Sequence, residues 1–284
     1  MANIAEQKQK ELKDFVKLTN DKEVQPIDIN RKDEKGNTRL INAIIDGNIK
    51  LAIELIENGA NFNIQNKEGD EPLMLAIDNE SYDLVYKLIE KGADINKYNL
   101  YGETALMGAI ENHNIELAEL LIEKGADSNF QNKSGETALI IAIKNREFDL
   151  AEKLIEKGAD INLQDEYGTT ALILATRCLH SKLTKILIEK GANVNTGDCL
   201  RGTALMHASN CENAKYNRKN QVEIIKLLLA NNADALIKNV SNQTAYKLAN
   251  SLKVKTIILS STITKRINKD KSSKNDHQND ENIR

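Results

Sequence analysis

Cysteine is scarce in this 284-residue chain, and the three present, Cys178, Cys199 and Cys211, are an odd number without the spacing of a disulfide scaffold. Long apolar runs are missing as well. None approaches the roughly 18 to 20 residues that a membrane helix requires, so no membrane partner is expected. The N-terminus lacks the apolar core of a secretory signal; Asn-x-Ser/Thr triplets such as Asn132-Lys-Ser134 are therefore read as accidents of an asparagine-rich chain. Neither sign of charge dominates. With 39 Lys and Arg against 42 Asp and Glu, the net charge of -3 gives nucleic acid or an anionic membrane no global attraction. These absences suit a cytoplasmic protein; heavy use of Asn, Lys and Ile fits an AT-rich genome such as that of an intracellular bacterium or a protist, and delivery into a host cell, with the polar tail from Lys265 onward serving export, is the alternative.

Catalytic signatures are absent too. There is no glycine-rich phosphate loop after a strand, no Gly-x-Ser-x-Gly elbow and no His-Glu-x-x-His. The nearest constellation is Cys199, His207 and Cys211, with Cys178 and His180 one unit earlier. Metal sites favour tight Cys or His pairs, which these are not, so no metal, cofactor or small-molecule substrate is expected. A thiol- or metal-dependent enzyme at these residues is the alternative. The plainer reading puts His207 on a helix and Cys178 and Cys211 near helix ends as ordinary small or polar residues.

What the chain does have is a period. Gly59, Gly92, Gly125, Gly158 and Gly191 fall 33 residues apart, and each opens the phrase Gly-Ala-(Asp/Asn)-x-Asn. Leu40, Leu73, Leu106, Leu139, Leu172 and Leu205 form a second comb in the same register. Self-similarity at this spacing marks a repeat architecture. Within the third unit, residues 104–110 and 115–122 are two short amphipathic stretches with helical periodicity. Gly125 sits where the second must end, because a left-handed cap suits a residue without Cβ; Asn232 takes that slot in the sixth unit. Asn132-x-x-Gly135 then predicts a projecting turn before Thr137 caps the next helix. Each unit is expected to be helix, turn, helix and loop.

These units resemble ankyrin repeats. The family phrase Asp-x-x-Gly-x-Thr-Pro-Leu-His-x-Ala is similar to Asn99-Leu-Tyr-Gly102-Glu-Thr104-Ala-Leu106-Met-Gly-Ala109 and to Asp165-Glu-Tyr-Gly168-Thr-Thr170-Ala-Leu172-Ile-Leu-Ala175. The match runs over about residues 28 to 259. It departs consistently from the family pattern: the proline survives only as Pro72, and the histidine is Ile or Met at Ile41, Met74, Met107, Ile140, Ile173 and Met206. By analogy, loss of that histidine implies a loop less tied down. The resemblance implies an all-α solenoid of stacked helix-turn-helix units with projecting β-turn loops. It further implies a non-enzymatic module that grips a protein partner across a concave face lined by loop tips and first helices.

The domain reading follows the register. Residues 1–32 are expected to be a degenerate capping half-repeat; six repeats span 33–65, 66–98, 99–131, 132–164, 165–197 and 198–238. A cap at 239–260 and a disordered polar tail at 261–284 follow. The sixth repeat carries an insertion near 210–220, with Tyr216, Arg218 and Lys219 as its adhesive residues and its second helix expected at Val222 to Leu229. Positions that must stay apolar include Leu51, Leu84, Leu117, Leu150 and Leu183.

Positions that vary between units are the candidates for binding. Tyr101 and Tyr167 share a tip position two units apart, with Leu100 beside the first and Glu103, Lys133 and Glu136 on neighbouring tips. Exposed tyrosines are favoured anchors in interfaces. At the end of the first helices one register position reads Ile45, Asp78, Glu111, Lys144, Arg177, predicting an acidic half and a basic half that would orient a partner of opposite polarity. Nucleic acid could engage only the basic stretch Lys265 to Lys274, which Asp276, Asp280 and Glu281 flank, so it is not an expected partner.

Overall fold

A computed structural model of the chain describes residues 28–211, 217–264 and 267. Most of the expected N-terminal half-repeat, Tyr216 and nearly all of the basic stretch and tail lie outside the described residues. The described chain falls into two compact units, one ending at Asp94 and one beginning at Ile95. The first holds α1 (Arg39–Ile45), α2 (Ile49–Glu57), α3 (Pro72–Asp78) and α4 (Tyr82–Glu90). The second holds α5 (Ala105–Glu111), α6 (Ile115–Glu123), α7 (Ala138–Lys144), α8 (Phe148–Glu156), α9 (Ala171–Arg177), α10 (Ser181–Glu189), α11 (Ala204–Ser209), α12 (Arg218–Ala230) and α13 (Ala245–Leu248), with a further helix over residues 252–264. Among the described residues no strand forms, and no helix is long and apolar enough to cross a membrane.

Local chemistry sets the helix ends. Thr38, Thr104, Thr137, Thr170, Thr203 and Thr244 each accept a bond from the amide three residues on, satisfying a donor that the first turn leaves free. Asn48 and Asn114 do the same for α2 and α6, and His180 does it for α10 through Nδ1. At the far end of the second helices, Gly125 and Gly158 sit at φ +88° and +94°, and Asn232 at +67°. A Cβ built on either glycine would meet nothing within 4 Å, so the dihedral alone selects the residue.

Within each unit, every first helix packs on its own second helix and on the first helix of the next repeat. The comb of Leu40, Leu73, Leu106, Leu139, Leu172 and Leu205 is buried to 1% exposure or less. Leu84, Leu117, Leu150 and Leu183 are buried as expected. Leu51 departs from that expectation and is half-buried, because no earlier repeat covers α2 among the described residues.

Two boundaries also differ from the sequence reading. The second helix of the sixth repeat starts at Arg218 rather than Val222, taking Arg218 and Lys219 out of the insertion and into its first turn. Polar anchors carry that turn: Asn220 donates to the Leu179 carbonyl at 3.1 Å, and fully buried Gln221 donates to the Ala208 carbonyl at 2.9 Å. The last helix runs to residue 264, into the segment expected to be tail. Val254 and Ile258 bury its inner face, while Thr256, Thr262 and Thr264 return their hydroxyls to carbonyls four residues earlier.

Candidate interaction face

The loops that project between repeats are built on one residue each. Asn99 Oδ1 accepts the amides of Tyr101 at 2.9 Å and Glu103 at 3.0 Å, and Asn132 Oδ1 accepts those of Ser134 at 3.0 Å and Glu136 at 2.9 Å. Asp165, Asp198 and Asn239 repeat the arrangement in later loops. Successive loops are also stitched by their backbones: Lys133 N donates to Tyr101 O at 2.8 Å, and Glu166 N to Ser134 O and Cys199 N to Tyr167 O, both at 2.7 Å. A Cβ on Gly102 would stand 2.9 Å from Asn132 Cα, so the close approach itself requires glycine. The turn that lacks the family histidine is thus held by an asparagine or aspartate side chain and by its neighbour's backbone.

At the tips the side chains point away from this framework. Leu100, Tyr101 and Tyr167 are 60%, 57% and 60% exposed. Leu200 and Val240, at 60% and 59%, extend the apolar set, and the sequence reading missed both. Leu200 was recoverable, since it lies one 33-residue period after Tyr167; Val240 was hidden by the lengthened sixth repeat. The Lys133 ammonium stands 5.6 Å from the Tyr101 ring centroid, a cation–π pair linking neighbouring tips. Beside Tyr167, the Glu166 carboxylate holds the phenol pKa above its usual value.

Two expected tip residues brace the loops instead. Half-buried Glu103 accepts from the Asn99 amide at 2.9 Å, and Glu136 from the Asn132 amide at 3.1 Å. Glu136 also holds the Lys144 ammonium at 2.6 Å, while buried Asp165 takes the same ammonium at 3.1 Å. Burial pushes Lys144 down and the two carboxylates outweigh it, leaving its pKa raised. For Asp165 burial likewise works upward, and the Thr169 amide and Lys144 overcome it to hold the carboxyl below its ordinary value.

Along the ends of the first helices, Asp78 in the first unit and Glu111, Lys144 and Arg177 in the second are all exposed. The basic half of that row is not what charge counting suggests, because Lys144 is neutralised in place. Arg218 is exposed on α12. Lys144 and Arg177 line an open cleft of about 480 Å³ together with Arg146, Leu174, Cys178, His207, Asn210 and Cys211. Burial pushes the Cys178 thiol pKa up even though Arg146 and Arg177 pull it down. His207 Nε2 lies 2.8 Å from Asp198 Oδ2. Cys199 is exposed on a loop, outside the cleft-lining set, and the three thiols are free. His180 is occupied elsewhere, stacked on Phe148 with ring centroids 3.9 Å apart. Among the described residues no group of three or more His, Cys, Asp or Glu is placed to hold a metal ion.

The family model described as "Ankyrin repeats (3 copies)" matches residues 4–99, 97–165 and 159–239. Among solved structures, the ankyrin repeat domain of Bcl-3, described as a unique member of the IkappaB protein family, is 28% identical with a TM-score of 0.62, covering 80% of this chain and 100% of that one. An ankyrin repeat domain from Acinetobacter baumannii AYE is 29% identical with a TM-score of 0.60, covering 67% and 97%. The human ASB11 ankyrin repeat domain, 24% identical with a TM-score of 0.60 over 79% and 98%, is a likeness of fold. A search of curated proteins by sequence returned no match.

Proposed function

Given that the chain belongs to the ankyrin-repeat family, whose members generally act as protein-interaction modules, we propose that it works by binding a protein partner rather than by catalysis. The partner lies along the loop tips and first-helix ends of the second unit. The observation that carries this reading is the exposure of Leu100, Tyr101, Tyr167 and Leu200 on loops whose geometry does not need them. Each loop is closed by its own asparagine or aspartate and by backbone bonds, so large apolar side chains at the tips contribute nothing to the turn. Aromatic anchors bury much area at a small cost in side-chain entropy, which is why they dominate interface energies. The exposed Glu111 and Arg177 add charges of both signs that set which way a partner lies.

Affinity capture from the source cell with the wild-type chain and with Tyr101→Ala/Tyr167→Ala tests this. A protein retained by the wild type and lost by the double variant, at unchanged circular dichroism and melting temperature, supports it. The same proteins retained by both would overturn the tip assignment.

A further inference from the structure

The cleft at the ends of α7, α9 and α11 holds four basic side chains in unequal states. Lys144 is clamped by Glu136 and Asp165, and His207 lies against Asp198. Arg146 and Arg177 have no carboxylate within salt-bridge distance among the described residues, and both are exposed at the mouth. Of the neighbouring acids, Glu147 Oε1 meets His113 Nδ1 at 2.6 Å, Asp165 holds the Lys144 ammonium, and Asp198 Oδ2 lies 2.8 Å from His207 Nε2. Arg146 sits at φ +65°, in a left-handed position shared with Gly47, Glu80, His113 and Leu179 in other repeats. Leu174 and Cys178 supply a floor of low polarity. Two guanidiniums that line one cleft, with no carboxylate partner among the described residues, suit a planar carboxylate, with room for the chain that carries it.

We propose that this cleft is the seat for an acidic side chain, Asp or Glu, presented by the protein partner, with Arg146 and Arg177 as its ligands. The assignment deepens the interaction reading and rests on it. It commits to a carboxylate on a polypeptide, because Lys144, the cation that would strengthen a site for a small, highly charged anion, is already clamped by two carboxylates.

Cys178 lines the same cleft and reports its occupancy. The probe is a capped pentaglutamate peptide, with pentaglutamine and inorganic phosphate as comparisons, applied to the full chain during alkylation by neutral iodoacetamide. Modification of Cys178 and of loop-borne Cys199 is read separately by peptide mass spectrometry. The expected result is saturable protection of Cys178 by pentaglutamate, roughly threefold at about twice the Kd, with that Kd on the order of 1 mM. Cys199 keeps its rate, pentaglutamine has no effect, and Arg146→Gln/Arg177→Gln abolishes the protection at an unchanged melting temperature. Absence of protection, or protection that survives in the double variant, overturns the proposal. Protection by phosphate alone assigns the cleft to a free anion and overturns it equally. If the cleft fails while the Tyr101→Ala/Tyr167→Ala capture succeeds, the interaction reading stands without this subsite.

Discussion

The loops of the first unit and those of the second share a backbone and differ at their tips. Gly36 and Gly69 in the first unit, like Gly102, Gly135 and Gly168 in the second, have φ between +73° and +83°. Asp33 and Asn66 close their loops as Asn99 and Asn132 do. Yet the first unit shows the solvent Glu34, Lys35, Lys67 and Glu68, whereas the second adds Leu100, Tyr101, Tyr167 and Leu200 to charged tips such as Lys133 and Glu166. Equal geometry under such different chemistry means that the tips are released from folding. On the proposed reading they are the part of each repeat that meets a partner.

The comparison breaks first if the shared scaffold is damaged. Leu121 is fully buried on α6, and Leu121→Ala should cost roughly 2 to 5 kcal/mol in chemical denaturation. Because repeats stabilise one another only through neighbours, the transition should also split in two. One cooperative transition displaced intact would show that the stack behaves as a single unit.

Next come paired glycines, which separate dihedral strain from close approach. At Gly125 an added methyl meets nothing, so Gly125→Ala should cost about 1 to 2 kcal/mol from the left-handed dihedral alone. At Gly102 the same methyl also strikes Asn132 Cα, and Gly102→Ala should be the more damaging of the two by thermal melting. Equal losses would mean that the stitching between loops adds nothing.

Smaller effects follow from ionisation. Asp165→Asn keeps the loop bonds, since Asn132 makes them elsewhere, and removes only the pair with Lys144. It should cost less than about 1 kcal/mol near neutrality. The folded Asp165 carboxyl is lowered, so its contribution is present above an ordinary carboxylate pKa of about 3.9 and is lost as pH falls through the lowered value. The gap between variant and wild type should therefore close below about pH 4. His180 has its pKa lowered, first by burial, and must be neutral at Nδ1 to cap α10. Its contribution is full above an unfolded value of about 6.5 and fades as pH falls through the lowered one. His180→Asn should accordingly flatten the acid-side loss of melting temperature, and an unchanged slope would remove His180 as its source.

The smallest effect on stability should come from exchanging the tips. Leu100→Lys/Tyr101→Glu gives the second unit the tip of the first and should change stability by no more than about 0.5 kcal/mol. Partner capture should fall at the same time. A large stability loss would show that the tips do share in folding, and the difference between the units would then need another explanation.

Much of this was legible without coordinates. The threonine caps, the left-handed glycines and the buried leucine combs are local or strictly periodic, so one chain displays them by repetition. The same periodicity pointed to Tyr101 and Tyr167, because a position released from packing is one that varies. Where reading by apolar period failed, polar anchoring had taken over: Gln221 and Asn220 start α12 early, and threonine hydroxyls accompany the last helix to residue 264. Glu103 and Glu136 looked like tip residues by register, but their carboxylates turn back onto the asparagine that closes the loop.

The sequence by itself determined the repeat, its helices and the conformation of its turns, since each depends on residues within one period and on dihedral preferences that recur. The tertiary structure alone decided which charges remain available. Lys144 and Arg177 are equivalent in register, yet one is spent on a carboxylate 21 residues away in the next loop while the other stands beside Arg146 in an open cleft. Pairing of that kind depends on the reach and direction of side chains between repeats, which no periodic pattern records.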